Sequence, residues 1–184
     1  MKIELELVNE NLILKMIKPN EYAKKITDWL NDPIINKYLM ARHKVNTEIE
    51  QIGYIEQVNA SLTSYYFGIF FGDNLRLIGT TTCRIKEEKS LEIGIMIGEK
   101  AFHGKGLGFS TIKTIESFAK TLGLERLTAG IECENKASAA LFLKMGFLFD
   151  EELILNEYGL ECFQVSKRII PDKVPSHQRK VESF

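Results

Sequence analysis

The sequence is poor in the features that mark specialised classes of protein. Its three cysteines, Cys83, Cys133 and Cys162, lie far apart with no CxxC pair, and this spacing fits neither a zinc site nor a disulfide framework. Neither charge sign is in excess, because 24 basic residues stand against 25 acidic ones and the formal net charge is −1. No overall field therefore favours nucleic acid or an anionic membrane. The cysteines are expected to be reduced thiols in the core of a cytoplasmic protein.

Long apolar runs are also missing. No window holds the roughly 18 uninterrupted apolar residues that a membrane-spanning helix requires. The first six residues, 1–6, include acids where a signal peptide needs a basic start followed by an unbroken apolar stretch. Internal repeats and low-complexity segments do not occur. We therefore expect a cytoplasmic protein whose partners include neither nucleic acid nor a membrane.

What is present is typical of one globular domain. The chain has 184 residues, of which 45% are hydrophobic and 27% charged, which is an ordinary composition for a folded soluble protein. A chain of this size buries about 70% of the surface that its unfolded form exposes, so it needs no covalent staple. We assign residues 1–170 to a single domain. Residues 171–184 are polar and interrupted by Pro171 and Pro175, which predicts a flexible tail.

The spacing of apolar residues predicts an alternating order of helices and strands. Helical spacing covers residues 21–30, 33–39, 107–122 and 135–145, and a further helix begins at Asn46 or Thr47 with Ile49, Ile52, Ile55 and Val58 buried. Asn20 is the expected N-cap of the first helix. A period of two predicts strands over 12–17, 65–71, 75–85, 91–97, 127–132, 147–154 and 160–169. This order predicts a mixed sheet in an α/β or α+β domain.

The most informative stretch joins the strand 91–97 to the helix that begins at residue 107. It contains Gly104, Gly106 and Gly108, with Lys105 between the first two. Glycine permits a sharp turn and a close approach of ligand to backbone, and the first N–H groups of a helix attract anions. The stretch matches neither GxxxxGK[ST] nor GxGxxG, since Phe109 stands at the last glycine position. It predicts a cradle for a phosphate or pyrophosphate; a tight turn without a ligand is the alternative.

Two motifs resemble those of the GNAT superfamily of acyl-CoA-dependent N-acyltransferases. Residues 103–108, His-Gly-Lys-Gly-Leu-Gly, are similar to its Gln/Arg-x-x-Gly-x-Gly/Ala signature, with His103 where Gln or Arg is usual. Residues 135–147, from Asn135 to Phe147, resemble its Asn-x-x-Ser-x-x-Leu-(Tyr)-x-Lys-x-Gly-Phe helix. The resemblance extends from residue 12 to 169 and is strongest to the branch of ribosomal-protein, polyamine and nucleotide-amino-sugar N-acetyltransferases. The element Trp29 to Pro33 is similar to members that act in bacterial surface-sugar synthesis.

The resemblance implies a fold and a co-substrate. The fold is a mixed, mostly antiparallel central sheet of about six to seven strands, flanked by helices, with a splay between the two central strands. Acetyl-CoA is the implied co-substrate, and no metal is implied. Its pantetheine arm would bind the backbone of Ile95, Met96 and Ile97, and its pyrophosphate the amides of residues 104–109. The implied cofactor-binding residues further include His103, Gly104, Lys105, Gly106, Leu107, Gly108, Phe109, Asn135, Ser138, Phe142 and Lys144. Asn135 could equally be a helix N-cap, and Lys144 could lie on a solvated helix face.

Attack of an amine on a thioester needs a base, a donor to the developing oxyanion and ideally an acid for the departing thiolate. Glu92 is the first candidate for the base, since it interrupts an apolar strand where burial would raise the pKa of its carboxyl group. Glu48, Glu50 and Glu56 are the candidates if Glu92 is not the base. A backbone N–H near Met96 is the implied oxyanion donor. Many family members have Tyr where this chain has Phe142, so either Tyr65, Tyr66 or water would serve as the acid, or the thiolate would leave unaided.

The acceptor amine is the open question. Trp29, Tyr38 and Met40 could line its pocket, although aromatic residues near helices more often belong to the core. The leading acceptor is a nucleotide-linked amino sugar of surface-polysaccharide synthesis. A protein N-terminus, as in ribosomal-protein acetyltransferases, and a polyamine or aminoglycoside are the alternatives. A non-catalytic acyl-CoA-binding module is the alternative from another class. The family also makes a homodimer through the last strands a reasonable expectation.

Overall fold

The computed structural model describes residues 5–9, 12–87 and 89–172, so most of the predicted tail, from residue 173 onward, lies outside the described residues. The described part contains eight strands and four α-helices. The strands are β1 (Glu6–Asn9), β2 (Leu12–Met16), β3 (Ser64–Phe71), β4 (Arg76–Lys86), β5 (Ser90–Ile97), β6 (Arg126–Glu132), β7 (Leu148–Leu155) and β8 (Glu161–Arg168). The helices are α1 (Pro19–Asn31), α2 (Glu48–Ala60), α3 (Leu107–Thr121) and α4 (Lys136–Lys144).

All eight strands form one sheet in the order β1-β2-β3-β4-β5-β6-β8-β7. Every pairing is antiparallel except that of β5 with β6, which confirms the predicted mixed and mostly antiparallel sheet. The sheet has eight strands, whereas about six to seven were predicted. The addition is β1, whose four residues are too few to give a clear alternating pattern in the sequence.

The central pair of strands separates along its length. β5 and β6 pair in parallel only through Ser90, Leu91 and Glu92, which lie opposite Arg126, Leu127 and Thr128. Beyond these residues each strand continues without the other, β5 to residue 97 and β6 to residue 132. A gap therefore opens in the middle of the sheet, where the splay was predicted.

Helices cover both faces of the sheet. On one face, α3 buries Ile112, Ile115 and Phe118 against the sheet. On the other face, α1 and α2 bury Ile26 and Ile55 in a second cluster. Burial on both faces fixes the register of β5, because a slip of one residue would exchange its two sets of side chains. In the described part of the chain, no helix is long and apolar enough to cross a membrane.

Two helix predictions are wrong for identifiable reasons. α1 begins at Pro19 with Lys18 at the N-cap, rather than after Asn20, because proline is favoured in the first helical turn. Residues 33–39 form turns instead of a helix, and the side chain of Asp32 accepts hydrogen bonds from Ile34 N at 2.9 Å and Ile35 N at 3.3 Å. Such Asx turns compete with helix formation. A 3-10 turn, Met40–His43, follows.

The start of α2 decides between the two predicted caps. Thr47 is the N-cap, and its side chain and that of Glu50 form a capping box. Ile49 is 82% exposed, whereas Gln51 is buried. The predicted apolar stripe is therefore incomplete, and a polar side chain of α2 faces the sheet.

Candidate functional site

Two cavities lie on opposite faces of β5 and meet at that strand. The splay cavity, about 500 Å³, is bounded by β5, β6, the glycine loop 103–106 and the starts of α3 and α4. The helix-side cavity, about 470 Å³, is bounded by β5, α2, the segment 39–47 and the turn at residues 157–158. Both are lined by Leu39, Gly94 and Ile95. A group bound in one cavity can therefore approach a group bound in the other at these three residues.

The hydrogen-bond phase of β5 determines which backbone groups face the splay. Gly98 N donates to Ile78 O at 2.9 Å, so the backbone N–H of Gly98 points toward the β4 side. Along an antiparallel strand, successive residues direct their N–H and C=O groups to alternate sides of the strand. Met96 and Gly94 therefore direct their backbone groups toward β4, while Ile95 and Ile97 direct theirs into the gap. In agreement, Ile97 O lies 2.8 Å from His103 Nε2.

This phase excludes the N–H of Met96 itself as a donor into the splay. Met96 N–H belongs to the β4–β5 ladder, whereas the N–H groups of Ile95 and Ile97 face the splay. The side chain of Met96 instead lines the helix-side cavity. Strand alternation was readable in the sequence, but its phase depends on the register between β4 and β5.

The glycine loop has the conformation that its composition favours. Gly104 and Gly106 have φ angles of 72° and 77°, which side chains adopt only with strain. Gly106 is the N-cap of α3, so the N–H groups of the next residues have no partner within the helix. Added Cβ atoms at Gly104 and Gly106 would meet nothing within 4 Å, and both residues line the splay cavity. The loop is thus an open cradle suited to an anion.

Gly108 has a different purpose from the two glycines before it. A Cβ at Gly108 would lie 2.8 Å from Leu141 Cδ2, so its lack of a side chain lets α3 pack closely on α4. Leu107 and Phe109 line the splay cavity beside it.

The two lysines predicted to bind acetyl-CoA, Lys105 and Lys144, lie at the rim of the splay cavity rather than in its wall. Lys105 Nζ lies 5.2 Å from the ring centroid of Phe102, and Lys144 Nζ lies 5.5 Å from that of Phe109.

The start of α4 contributes a second wall of the splay cavity. Asn135 Oδ1 accepts a hydrogen bond from Ser138 N at 3.1 Å, so Asn135 is the N-cap that the sequence also allowed. Asn135, Ser138 and Phe142 all line the cavity. Phe142 is buried, with its ring edge-on to that of Phe147 at 4.8 Å. Phe142 has no hydroxyl that could act as an acid.

The structure contradicts the reason for selecting Glu92 as the base. Its side chain is 37% exposed, and its carboxylate lies 3.4 Å from Lys86 Nζ and 4.0 Å from Arg84 Nη1. It lines neither cavity. Arg84 also donates to the hydroxyl of Tyr54 at 3.3 Å, and Tyr54 lines the helix-side cavity. Glu92 therefore belongs to a partly exposed ion-pair cluster and not to the wall of either cavity.

Glu50 and Glu157 are the carboxylates that line the helix-side cavity within the described residues; the reserve candidates Glu48 and Glu56 do not. Glu50 Oε1 pairs with Lys44 Nζ at 3.1 Å. Its Oε2 accepts from Thr47 N at 3.1 Å. The Lys44 hydrogen bond, followed by those from Thr47, holds the pKa of Glu50 below its usual value. Glu50 is therefore ionised at neutral pH.

Of the two tyrosines considered as acids, Tyr66 lines a cavity and Tyr65 does not. Tyr66 is buried; its hydroxyl lies 3.5 Å from Thr80 Oγ1, to which it donates, and 3.5 Å from Gln51 Nε2. Burial raises the pKa of Tyr66 to about 12. The Tyr65 ring packs on the other face, at 5.1 Å from that of Phe118.

The three predicted acceptor residues separate in the fold. Met40 lines the helix-side cavity, Tyr38 lines the splay cavity, and Trp29 lines neither. Trp29 is buried against Gly98, where an added Cβ would lie 2.0 Å from Trp29 Cδ2. This contact corrects the prediction for Trp29, since its ring belongs to the core.

Several site residues had no signal in the sequence. Leu39 joins the two cavities, and Glu157 and Tyr158 reach the helix-side cavity from the β7–β8 turn. The ring of His43 stacks on that of Tyr158 at a centroid distance of 3.8 Å. These residues are distant in the chain and meet only in the folded protein. Within the described ranges, no group of three or more His, Cys, Asp or Glu side chains could hold a metal ion.

Comparisons with known proteins agree with this architecture. A family model described as "Acetyltransferase (GNAT) domain" matches residues 11–148. A GNAT-family acetyltransferase from Bacillus anthracis is similar in structure, with a TM-score of 0.76, 16% identity, and coverage of 89% of this chain and 98% of that chain. The microcin C7 self-immunity acetyltransferase, solved with acetyl-CoA and AMP, is similar with a TM-score of 0.73 and 24% identity, over 88% of this chain and 94% of that chain. Spermidine N-acetyltransferase from Vibrio cholerae, solved with CoA and spermine, is similar with a TM-score of 0.74 and 19% identity, over 87% of this chain and 96% of that chain.

The family match covers more than half of the chain and includes both motifs that carry the resemblance. It confirms the predicted fold and the predicted class of enzyme, an N-acyltransferase with acetyl-CoA as co-substrate. The chain belongs to the GNAT acetyltransferase family.

Proposed function

We propose that the protein transfers an acetyl group from acetyl-CoA, bound in the splay cavity, to the primary amine of a hydroxyl-rich acceptor in the helix-side cavity. The best representative of that acceptor is a nucleotide-linked amino sugar. The observation that carries the proposal is the meeting of two cavities at Leu39, Gly94 and Ile95. Bound acetyl-CoA supplies the activated acyl group. Direct transfer requires that this group and the amine reach one point from opposite faces of β5.

The residues of the splay cavity suit the parts of acetyl-CoA. The backbone of Ile95 and Ile97 faces the gap and can bind an extended amide-containing arm as an added strand would. The first amides of α3, beside Gly106, can bind the pyrophosphate, with Lys105 and Lys144 at the rim. Ile95 N–H can donate to the oxygen that gains negative charge during transfer. A preorganised donor of this kind acts mainly in the transition state.

The helix-side cavity favours a hydroxyl-rich amine over a polyamine. Glu50 and Glu157 are the acidic groups that line it within the described residues, and Glu50 is already paired with Lys44. Lys44 is the basic group that lines it within the described residues, and the remaining polar groups are neutral hydroxyls and amides, on Asn46, Thr47, Gln51, Tyr54, Tyr66, Thr80, Thr82 and Tyr158. A flexible polycation needs several unpaired carboxylates, whereas a sugar needs neutral donors and acceptors. The solved relatives named with AMP and with spermine are compatible with either acceptor.

For the base, we propose Glu50 in place of Glu92. Glu50 lines the cavity and is ionised at neutral pH, so it can receive the proton that the amine loses, directly or through water. Glu92 lines neither cavity and is paired with Lys86 and Arg84, so it could act only through an intervening group or water. Glu92 therefore remains the alternative, and matched variants distinguish the two.

The acceptor assignment is tested with an amine panel. Purified protein is mixed with acetyl-CoA and either a nucleoside-diphosphate-linked amino sugar, the free amino sugar, spermidine or a peptide with a free N-terminus, and thiol release and product mass are measured. We expect kcat/KM for the nucleotide-linked sugar to exceed that for spermidine at least tenfold. Preference for spermidine or the peptide would overturn the acceptor assignment and leave acetyl transfer intact. Acetyl-CoA binding without transfer to any amine would support a non-catalytic binding module.

A further inference from the structure

We propose that Tyr38 donates the proton to the departing thiolate, an inference that rests on the proposed acetyl transfer. The position where many family members have Tyr is Phe142 in this chain, and its buried ring cannot donate a proton. Tyr38 is the phenol that lines the splay cavity in the described part of the chain. It comes from the segment between α1 and α2, so the hydroxyl would be supplied by another element of the fold.

The position of Tyr38 in the chain places it next to the junction of the two cavities. Its neighbour Leu39 lines both of them. Tyr38 itself lines the same cavity as Phe142 and as Ile95, whose N–H faces the gap. The other hydroxyl-bearing side chain of that cavity is Ser138, in the first turn of α4. A phenol is a far stronger acid than an aliphatic hydroxyl and is much closer to a thiol in acidity, so Tyr38 is the better proton donor to sulfur.

The backbone on both sides of Tyr38 is held in place. The Arg42 guanidinium donates to the carbonyl of Lys37, and both of its terminal nitrogens donate to Glu132 Oε2 at 3.0 Å. Leu39 N donates to Asn36 O at 2.7 Å, and the Asn36 side chain donates to Leu30 O at 2.7 Å.

The ring of Tyr38 is half-buried, and Lys37 Nζ lies 4.9 Å from its centroid. A proton donor must be preorganised to be effective, and the anchored backbone on both sides of Tyr38 favours that order.

The proposed step balances. The amine nitrogen forms a bond to the acetyl carbon, and the bond from that carbon to sulfur breaks with its electron pair on sulfur. Tyr38 gives its hydroxyl proton to the sulfur, which leaves as the free thiol, and the Tyr38 phenolate is then protonated by solvent. The proton lost by the amine goes to Glu50 or to water. The products are the N-acetylated acceptor and CoA.

The test uses the single-turnover rate constant of acetyl transfer, so that product release does not hide the chemical step. Tyr38→Phe keeps the ring and removes the proton. We expect the rate constant to fall about a hundredfold or more while the dissociation constant of acetyl-CoA stays within twofold.

Two further variants complete the test. Tyr22→Phe is the matched control, since Tyr22 is also half-buried but lines neither cavity, with its ring against Phe70 at 5.5 Å; it should behave as wild type. Phe142→Tyr should gain less than threefold, because the wild-type protein already has an acid. A fall of less than tenfold in Tyr38→Phe, or a gain of threefold or more in Phe142→Tyr, would overturn the proposal. Absence of transfer by the wild-type protein would instead overturn the proposed function.

Discussion

Arg42 and Glu132 form an ion pair that joins one wall of each cavity, with Arg42 Nη1 2.9 Å from Glu132 Oε1. The two side chains are 23% and 10% exposed. Glu132 ends β6 and lines the splay cavity, while Arg42 belongs to the segment that closes the helix-side cavity. Both hydrogen bonds from Arg42 to Glu132 go to Oε2, and Glu132 Oε1 has no hydrogen-bond partner within the described residues. This ion pair therefore fixes the segment 39–47 relative to β6.

Removing Arg42 should weaken both the fold and the chemistry. Arg42→Ala leaves a mostly buried carboxylate without its counter-charge, which we expect to cost about 2 kcal/mol, between the values for exposed and buried pairs. The single-turnover rate constant should fall at least fivefold because the backbone before Tyr38 loses its anchor. Urea unfolding and rapid-quench kinetics measure the two effects. Adding Glu132→Gln should recover part of the stability. Unchanged stability and turnover in Arg42→Ala would contradict this role.

The glycine loop is tested at Gly106 with a residue that tolerates its conformation. Valine is unsuitable, because the φ of 77° would strain it whatever its effect on binding. Asparagine tolerates this region and places a side chain in the cradle. We expect Gly106→Asn to weaken CoA binding ten- to hundredfold, the equivalent of one charge-assisted hydrogen bond, as measured by calorimetry.

Gly123→Asn is the matched control for the loop. Gly123 has a φ of 71°, and an added Cβ there also meets nothing within 4 Å, but it follows α3 at its other end. It should bind CoA as wild type does. Equal affinities in the two folded variants would contradict the assignment of the loop to the pyrophosphate.

Gly94 should keep the passage between the cavities open. It lines both of them, and an added Cβ would lie 2.9 Å from Thr82 Oγ1. We expect Gly94→Ala to lower the single-turnover rate constant at least tenfold, with acetyl-CoA affinity within threefold of wild type, because the amine and the acyl group are kept apart. Gly53→Ala, on an exposed position of α2 with nothing within 4 Å, is the control and should transfer acetyl normally. A normal rate in Gly94→Ala would show that transfer does not occur at this junction.

The two candidate bases are separated by a pair of isosteric variants. Glu50→Gln can still accept the hydrogen bond from Thr47 N, so α2 should keep its cap, but it can no longer take a proton. We expect kcat to fall about a hundredfold at pH 7 and to recover partly at high pH, where more of the amine is already neutral. Glu92→Gln should stay within threefold of wild type across the same pH–rate profile. The reverse ranking would restore Glu92 as the base.

The part of the site made by local sequence was predictable, and the part made by tertiary contacts was not. Gly104, Gly106 and the Asn135 cap act within a few residues of the chain, so their residue types reveal their geometry. Met96 required the phase of the β4–β5 ladder, and Trp29 required knowledge that Gly98 admits its ring to the core. The helix-side cavity is assembled from α2, the segment 39–47 and the turn at 157–158, which no motif connects. The mixed, mostly antiparallel type of sheet was also predictable. The short edge strand β1 was not, because four residues give no clear alternating pattern.

The most direct test of acetyl transfer between the two cavities is a single turnover with isotopically labelled acetyl-CoA. Protein loaded with it is mixed with the nucleotide-linked amino sugar and quenched at intervals, and the masses of protein and product are measured. None of the three cysteines lines either cavity, and burial raises the pKa of Cys83 to about 12, so no cysteine is placed to carry the acetyl group. We predict that the label appears only on the acceptor nitrogen and never on the protein. Label bound covalently to the chain, or recovered as free acetate without acetylated amine, would contradict direct transfer at Gly94 and Ile95.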